Sequence, residues 1–189
     1  MFEAHLPARA AVPLSQLIRE VKPDQLDAPT PCSEFDVRGL LGHLLHWGPS
    51  LEGAARKESV PPPAGDSWPG DEWSDALAAQ LDRIVEAWSR PDAWTGVTRM
   101  GGPMELPASL VGGMVVGELV VHGRDLARAT GHEVSWDDEL LAYVLGEVAR
   151  SAGQGRELGV YGPEVPVPAD APLLDRVLGL TGRDPRWTP

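Results

Sequence analysis

Residues 109–131 read SLVGGMVVGELVVHGRDLARATG, the most apolar long stretch of the chain. They predict a helix with Gly131 in the position of its C-terminal cap. Glu118 and His122 are four residues apart, so a helix places both side chains on one face, one turn apart. An ionised carboxylate is costly in such surroundings without a cation or several hydrogen-bond donors. The pair indicates a divalent metal site, and the alternatives are a buried Glu–His hydrogen bond or a glutamate on an exposed helical stripe.

Further helices are predicted on both sides of this stretch. Apolar residues at helical spacing indicate them over about residues 8–21, 34–56, 71–89, 137–151 and 173–180. Ser33 and Asp36 are spaced as in a capping box, which puts the start of the second helix near Ser33 or Glu34. Residues 57–70 predict a proline-rich loop, and residues 97–106 permit a small β-hairpin. Strands and helices do not alternate, so the pattern favours an all-α helical bundle.

Composition and charge narrow the class of protein. The chain has 189 residues, enough for one domain, and 16 Lys and Arg against 28 Asp and Glu give a net charge of −12. Nucleic acids and anionic membranes attract clustered positive charge, so neither is an expected partner. No apolar run reaches the roughly 18 residues of a membrane-spanning helix, and residues 1–10 lack the pattern of a signal peptide. We therefore expect a cytoplasmic protein.

A third metal ligand is expected from the second predicted helix. Cys32 is the single cysteine, which excludes a multi-cysteine metal cluster and leaves histidine and carboxylate as ligands. A catalytic zinc site has three protein ligands and one open position. His43 lies on the flank of the apolar helical stripe, whereas His46 lies on the opposite face. Helical phase thus favours His43, although an ordinary interior or surface imidazole is the alternative for either residue.

The residues that follow His122 offer it further partners. Asp125 is three positions later, within reach of a hydrogen bond that would orient the imidazole of a ligand. The alternative is a surface ion pair between Asp125 and Arg124 or Arg128. Those two arginines, four residues apart, could also hold an anion at the mouth of a site, but solvated surface charge is the more ordinary interpretation. Cys32 has no general base assigned to it by the sequence and is expected to be inert.

Three segments resemble a known family. They are TPCSEFDVRGLLGHLLHW at 30–47, VVHGRDLARATG at 120–131 and LLDRVLGLTGRDPRW at 173–187. In order and spacing they are similar to segments of the DinB-like proteins related to mycothiol-dependent maleylpyruvate isomerase, a mainly actinobacterial group. The resemblance implies a DinB-type up-and-down four-helix bundle with a divalent metal on His43, Glu118 and His122. It further implies that the metal holds water and activates the thiol of mycothiol.

Two departures from the family pattern modify these expectations. Arg124 stands where the family usually has a tryptophan after the metal-binding His-Gly, which alters the rim beside His122. The isomerase branch also carries a separate C-terminal α/β domain, whereas here only a short tail follows the fifth helix. We expect residues 1–152 to form the metal-binding bundle, and residues 153–189 to form a tail whose short helix packs on it within one domain.

The sequence leaves three functions open. The first is a metal-dependent thiol transferase or isomerase that uses mycothiol or a similar thiol on a small electrophile, with zinc, nickel or another divalent cation. The second is a non-catalytic module in which the metal stabilises the bundle or holds a small anionic ligand. The third is a helical partner-binding protein, suggested by seven tryptophans against two Phe and two Tyr. The family resemblance also implies a homodimer.

Overall fold

The computed structural model describes residues 3–65 and 68–189. The predicted all-α class is confirmed: six helices account for most of the described chain. They are α1 (Leu6–Ile18), α2 (Val37–Ala55), α3 (Trp73–Trp88), α4 (Ala108–Thr130), α5 (Asp138–Glu157) and α6 (Leu173–Leu180). Short 3-10 turns cover Glu3–His5, Pro23–Gln25, Gly70–Glu72 and Pro91–Trp94. In the described part of the chain no helix is long and apolar enough to cross a membrane.

Four of the helices enclose the core. Helix α1 packs on α3 and α4, and α2 packs on the same two helices, so the order around the bundle is α1, α3, α2, α4. Helix α5 lies against α4 outside this ring, and α6 packs on α5. Helices that follow each other in the chain are therefore not always neighbours in space. This order brings α2 and α4, which carry the predicted metal ligands, side by side.

Helix α2 begins later than the sequence predicted. Asp36, not Ser33, is the N-cap, and its carboxylate accepts a hydrogen bond from the Gly39 amide at 2.7 Å. The preceding residues form a turn instead of a first helical turn, because Thr30 Oγ1 donates to the Phe35 carbonyl at 2.7 Å and accepts from the Cys32 amide at 3.1 Å. The predicted start near Ser33 or Glu34 is therefore wrong by three or four residues.

The remaining predicted elements lie close to their expected places. A two-stranded antiparallel hairpin pairs β1 (Val97–Thr98) with β2 (Leu106–Pro107), as the glycine-rich stretch indicated. Gly131 ends α4 in the left-handed conformation at φ 74°, which confirms the predicted cap. Helix α5 continues six residues past its predicted end. Of the predicted loop over 57–70, Asp66 and Ser67 lie outside the described residues, as do Met1 and Phe2 of the N-terminal segment.

Trp88 is the largest fully buried side chain and anchors α3 in the core. Its indole Nε1 donates to the Leu51 carbonyl of α2 at 2.9 Å. The ring meets Trp94 edge to face at a centroid distance of 5.2 Å, and Trp94 in turn donates to the Trp88 carbonyl. On α4, Gly112 leaves room for Trp94, because a Cβ atom there would lie 2.5 Å from the indole ring. These contacts fix the positions of α2, α3 and α4 relative to one another.

Candidate metal centre

Helices α2 and α4 bring three side chains of the predicted metal site together. On α4, Glu118 and His122 are one turn apart, with 3.4 Å between Glu118 Oε1 and His122 Nε2. From α2, His43 Nε2 approaches the same Glu118 oxygen to 2.6 Å. The two imidazole rings lie 5.2 Å apart between centroids, at an interplanar angle of 67°. Three donor atoms from two helices therefore converge on a single point.

The chemistry of these donors fits a divalent cation. One ligand atom from each of His43, Glu118 and His122 lies within 4.8 Å of the other two. Two imidazole nitrogens and one carboxylate oxygen suit Zn²⁺, which binds such atoms at about 2.0–2.2 Å, and nickel or other ions of similar preference. Three protein donors leave a tetrahedral ion one open position. The His43 and Glu118 side chains are 23% and 30% exposed, so a cation held by them would be accessible from solvent.

His46, the other histidine of α2, does not belong to this cluster. Its ring lies against Trp47, edge to face, at 5.6 Å. His43 and His46 are three positions apart on α2, about 60° apart around the helix axis. Of these two residues, only His43 lies within ligand distance of Glu118 and His122. The preference for His43, drawn from helical phase, agrees with this placement.

Burial and charge act in opposite directions on the ionisation of the cluster. Desolvation opposes the charged form of Glu118, but the neighbouring imidazoles of His122 and His43 outweigh it and lower the pKa of the carboxyl group. For His122, desolvation alone would lower the pKa, yet the Glu118 charge and the hydrogen bond to Asp125 raise it to about 9. Near neutral pH the metal-free cluster therefore holds a proton on His122 that a cation must displace.

Asp125 is the hydrogen-bond partner of the His122 ring. Its Oδ2 atom lies 3.1 Å from His122 Nδ1, and the aspartate is fully buried. Arg183, far along the chain, donates to the same oxygen from Nε and Nη2, each at 3.3 Å. The alternative of a surface ion pair from Asp125 to Arg124 or Arg128 is therefore not what the structure contains. Asp125 belongs to a buried Arg–Asp–His chain.

The two arginines of α4 that follow His122 have other surroundings. Arg128 donates to the Trp187 carbonyl from Nη2 at 2.6 Å, which ties the end of the chain to α4. The Arg124 guanidinium forms no hydrogen bond within the described residues, and its buried Nη1 atom has no partner. Desolvation, followed by the positive charge of Arg128, lowers the pKa of Arg124. The structure thus gives Asp125, and not Arg124, a direct contact with the cluster.

Arg183 was not among the residues that the sequence singled out. It is 58 positions from Asp125, so neither helical spacing nor charge pattern links the two. Its place in the third family-like segment, LTGRDPRW, was the only available signal. For Cys32, burial raises the pKa of the thiol although the charge of Arg183 acts the other way, which favours the unreactive thiol form.

A groove opens beside the cluster along α2. It has a volume of about 710 Å³, within the range of small-molecule sites, and among its described lining residues His43 is the one member of the cluster. Its lining includes Gly42, which has no side chain, and the polar side chains of Arg38 and His46. The Arg38 guanidinium lies over the ring of Trp68 at 5.2 Å. The groove therefore offers a small molecule access to the candidate metal position.

Comparison with known proteins supports the bundle fold. The family described as mycothiol maleylpyruvate isomerase N-terminal domain matches residues 8–127. Relatives in two strains of Mycobacterium tuberculosis, both named only as uncharacterized proteins, are 28% identical over 181 residues, covering 94% of this chain and 96% of theirs. A crystal structure of a mutant of mycothiol-dependent maleylpyruvate isomerase matches with a TM-score of 0.62 at 15% identity, over 81% of this chain and 71% of that one. This likeness confirms the predicted bundle fold.

Proposed function

Because the chain belongs to the family of mycothiol maleylpyruvate isomerase N-terminal domains, we propose that it is a metal-dependent enzyme that uses a thiol of the mycothiol type. Its reaction is a thiol transfer to a small electrophile or a thiol-dependent isomerisation of one. His43, Glu118 and His122 hold the divalent cation, which we take to be zinc, with nickel as the alternative. The relatives' mycobacterial source supports an actinobacterial protein, and a location in the cytoplasm follows from the proposal, because a thiol cosubstrate stays reduced there. The homodimer expected from the resemblance remains part of this proposal.

One observation carries the proposal: three donor atoms meet within 4.8 Å, and one of the three residues, His43, also lines an open groove. A purely structural zinc site is normally closed by four protein ligands, whereas a catalytic site has three and an open position. A cation bound here would act as a Lewis acid and lower the pKa of a thiol or water at that position. The partial exposure of His43 and Glu118 supports access by a substrate.

Each residue of the site has a task that follows from its contacts. Glu118 provides the negative charge that favours a cation between the two imidazoles. Asp125 accepts a hydrogen bond from His122 Nδ1, so the Nε2 lone pair is directed towards the cluster. Arg38, at the wall of the groove, has a guanidinium group suited to orient an electrophile that carries a carboxylate.

The direct test compares two histidine variants of α2. His43→Ala removes a proposed ligand, and His46→Ala removes a similarly half-buried imidazole outside the cluster. In protein purified without chelator, we expect about one equivalent of metal in the wild type and in His46→Ala, and less than about a tenth in His43→Ala. Turnover of mycothiol with a panel of small electrophiles should be lost in His43→Ala, and His46→Ala serves as the control for metal content alone because His46 lines the groove.

The same measurements distinguish the non-catalytic alternative. If the wild type holds metal and His43→Ala melts at a lower temperature, yet no electrophile is consumed with mycothiol or another thiol, the protein is a metal-stabilised module. Equal metal contents in wild type and His43→Ala would contradict the ligand assignment itself.

Gly42 provides a test of the groove that leaves the ligands intact. Gly42 lines the groove, and a Cβ atom added there meets nothing within 4 Å, so a leucine side chain would begin in open space on the groove side. We expect Gly42→Leu to retain its metal and to lower kcat/KM for the thiol reaction at least about tenfold by occupying substrate space. Gly153→Leu is the matched control, because Gly153 also lies in a helix, α5, with nothing within 4 Å. Unchanged kcat/KM in Gly42→Leu would exclude the groove as the substrate path.

A further inference from the structure

The segment after α5, residues 158–189, returns to the candidate metal centre through one side chain. Arg183 is 7% exposed and directs Nε and Nη2 to Asp125 Oδ2. Its third nitrogen, Nη1, donates to the Thr181 carbonyl at 2.7 Å. All three guanidinium nitrogens therefore have acceptors, and the arginine closes a chain of contacts that runs from the end of α6 through Asp125 to His122.

The sequence around Arg183 fixes its position. Helix α6 ends in a Schellman arrangement: the Gly182 amide donates to the Gly179 carbonyl, and the Arg183 amide donates to the Leu178 carbonyl at 2.9 Å. Gly182 takes the left-handed conformation at φ 83°, which a glycine adopts without strain. A Cβ atom at Gly182 would also lie 2.7 Å from the Cα of Gly162. The backbone at this helix end thus aims the Arg183 side chain at α4.

We propose that Arg183 is a positioning residue for the metal site, acting on the ligand His122 through the carboxylate of Asp125. This inference rests on the proposed function, since it assumes that His122 is a ligand. Asp125 is fully buried, and its Oδ1 atom has no partner in the described part of the chain. The contacts at Oδ2 are therefore the ones that stabilise its negative charge. Without Arg183, the His122 ring would be the one remaining partner of Asp125 among these contacts. The desolvation penalty of the buried Asp125 carboxylate would then no longer be offset by the arginine.

The geometry explains why this arginine acts on the imidazole. With Asp125 Oδ2 fixed by two N–H donors, the hydrogen bond from His122 Nδ1 has a fixed acceptor, which sets the tilt and tautomer of the ring. Nε2 then faces Glu118 Oε1. The family match ends at residue 127, so a residue outside the matched region completes the site. A side chain of the C-terminal segment therefore belongs to the metal centre.

The experiment compares Arg183→Met with Arg186→Met, the latter a solvent-exposed arginine of the same segment, 90% exposed. Zinc affinity is measured by chelator competition, and the coordination geometry by the absorption spectrum of the Co²⁺-loaded protein. We expect Arg183→Met to weaken zinc binding about 10- to 100-fold and to alter the Co²⁺ spectrum, with Arg186→Met unchanged. Arg183→Lys, which keeps the charge but offers one nitrogen, should recover part of the affinity and covers the case in which Arg183→Met does not fold.

A structural role alone predicts a different result. It would lower the melting temperature of Arg183→Met and Arg183→Lys while leaving the zinc affinity and Co²⁺ spectrum of the folded protein as in the wild type, which overturns the proposal. The Asp125→Asn background gives a second test: if Arg183 acts through Asp125, Arg183→Met has no additional effect on zinc affinity there. Full additivity of the two changes would also overturn it.

The outcome is separable from the proposed function. A wild type that binds zinc but turns over no thiol refutes the enzyme and leaves the affinity test of Arg183 valid. If the wild type binds no metal, ¹⁵N NMR of the imidazoles in the metal-free protein still reports on the contact. There we expect a His122 Nδ1–H signal protected from exchange, lost in Arg183→Met and retained in Arg186→Met. A signal equally protected in Arg183→Met overturns the positioning role.

Discussion

Replacing Glu118 with glutamine is expected to empty the metal site while leaving the helical bundle folded. The amide keeps the shape of the carboxylate but removes the charge that offsets a cation between His43 and His122. The Glu118 carboxylate oxygen lies within 4.8 Å of both imidazole donor atoms and is one of the three proposed ligands. Glutamine in its place removes the anionic ligand of the three. We expect less than about a tenth of an equivalent of metal after purification without chelator, and no thiol-dependent turnover.

The same variant changes how the metal-free protein responds to pH. In the wild type, Glu118 and Asp125 hold the pKa of His122 at about 9, above its ordinary value of 6.5. The protonated imidazole therefore stabilises the folded state fully below pH 6.5, and this stabilisation is lost as pH rises to about 9. In Glu118→Gln the pKa of His122 should fall towards its ordinary value, so this pH dependence of the melting temperature should shrink.

Metal analysis measures the metal content of Glu118→Gln, and circular dichroism measures its folding and the pH dependence of its melting temperature. His46→Ala serves as the control, since it changes a half-buried polar residue near the site without touching the cluster. Glu118→Gln protein that is folded and still holds a full equivalent of zinc would show that the carboxylate is not a ligand.

Replacing Trp88 with alanine is expected to destabilise the fold more than any change at the site. The side chain is fully buried, so its loss leaves a large cavity and costs about 3–5 kcal/mol. It also leaves the Leu51 carbonyl of α2 without its indole donor. A domain with about 5–15 kcal/mol of total stability loses a major part of it. Urea denaturation of metal-free protein measures the difference.

Two further variants separate the causes of this loss. Trp88→Phe fills most of the space but lacks the indole N–H, so it should cost less than Trp88→Ala. Leu158→Ala removes a side chain that is 70% exposed and should stay within about 0.5 kcal/mol of the wild type. A cost for Trp88→Ala as small as that of Leu158→Ala would contradict the core assignment.

The candidate ligands could be predicted from sequence because their signal is local. The four-residue spacing of Glu118 and His122 holds in any helix, and the helical phase of α2 distinguishes His43 from His46 once the apolar stripe is known. That the two helices are neighbours came only from the family resemblance. No periodicity within one helix encodes which other helix will pack on it.

Where the helices depart from their predicted bounds, the departures have physical causes. Ser33 has the residue type and spacing of a cap, but the hydrogen bonds of Thr30 stabilise a turn over the same residues, so Asp36 takes that place. The predicted end of α5 near residue 151 is too early, because the helix continues through Gly153 and the buried Gly155 to Glu157, and helical propensity is a weak preference that packing overrides. Arg183 had no local pattern because its partner lies on another helix, and only the folded chain joins them.

The order of helices around the bundle has a consequence for assembly. His43 and Glu118 are 75 residues apart, with the whole of α3 between them, although α2 and α4 touch. An ion held by both helices would act as a cross-link that closes a long loop of chain. The chain loses the conformational entropy of closing that loop only once the core around α3 has formed. Loading of the ion should therefore come late in folding, after synthesis has passed α4, and the bound ion should then slow global unfolding by tying the helices together.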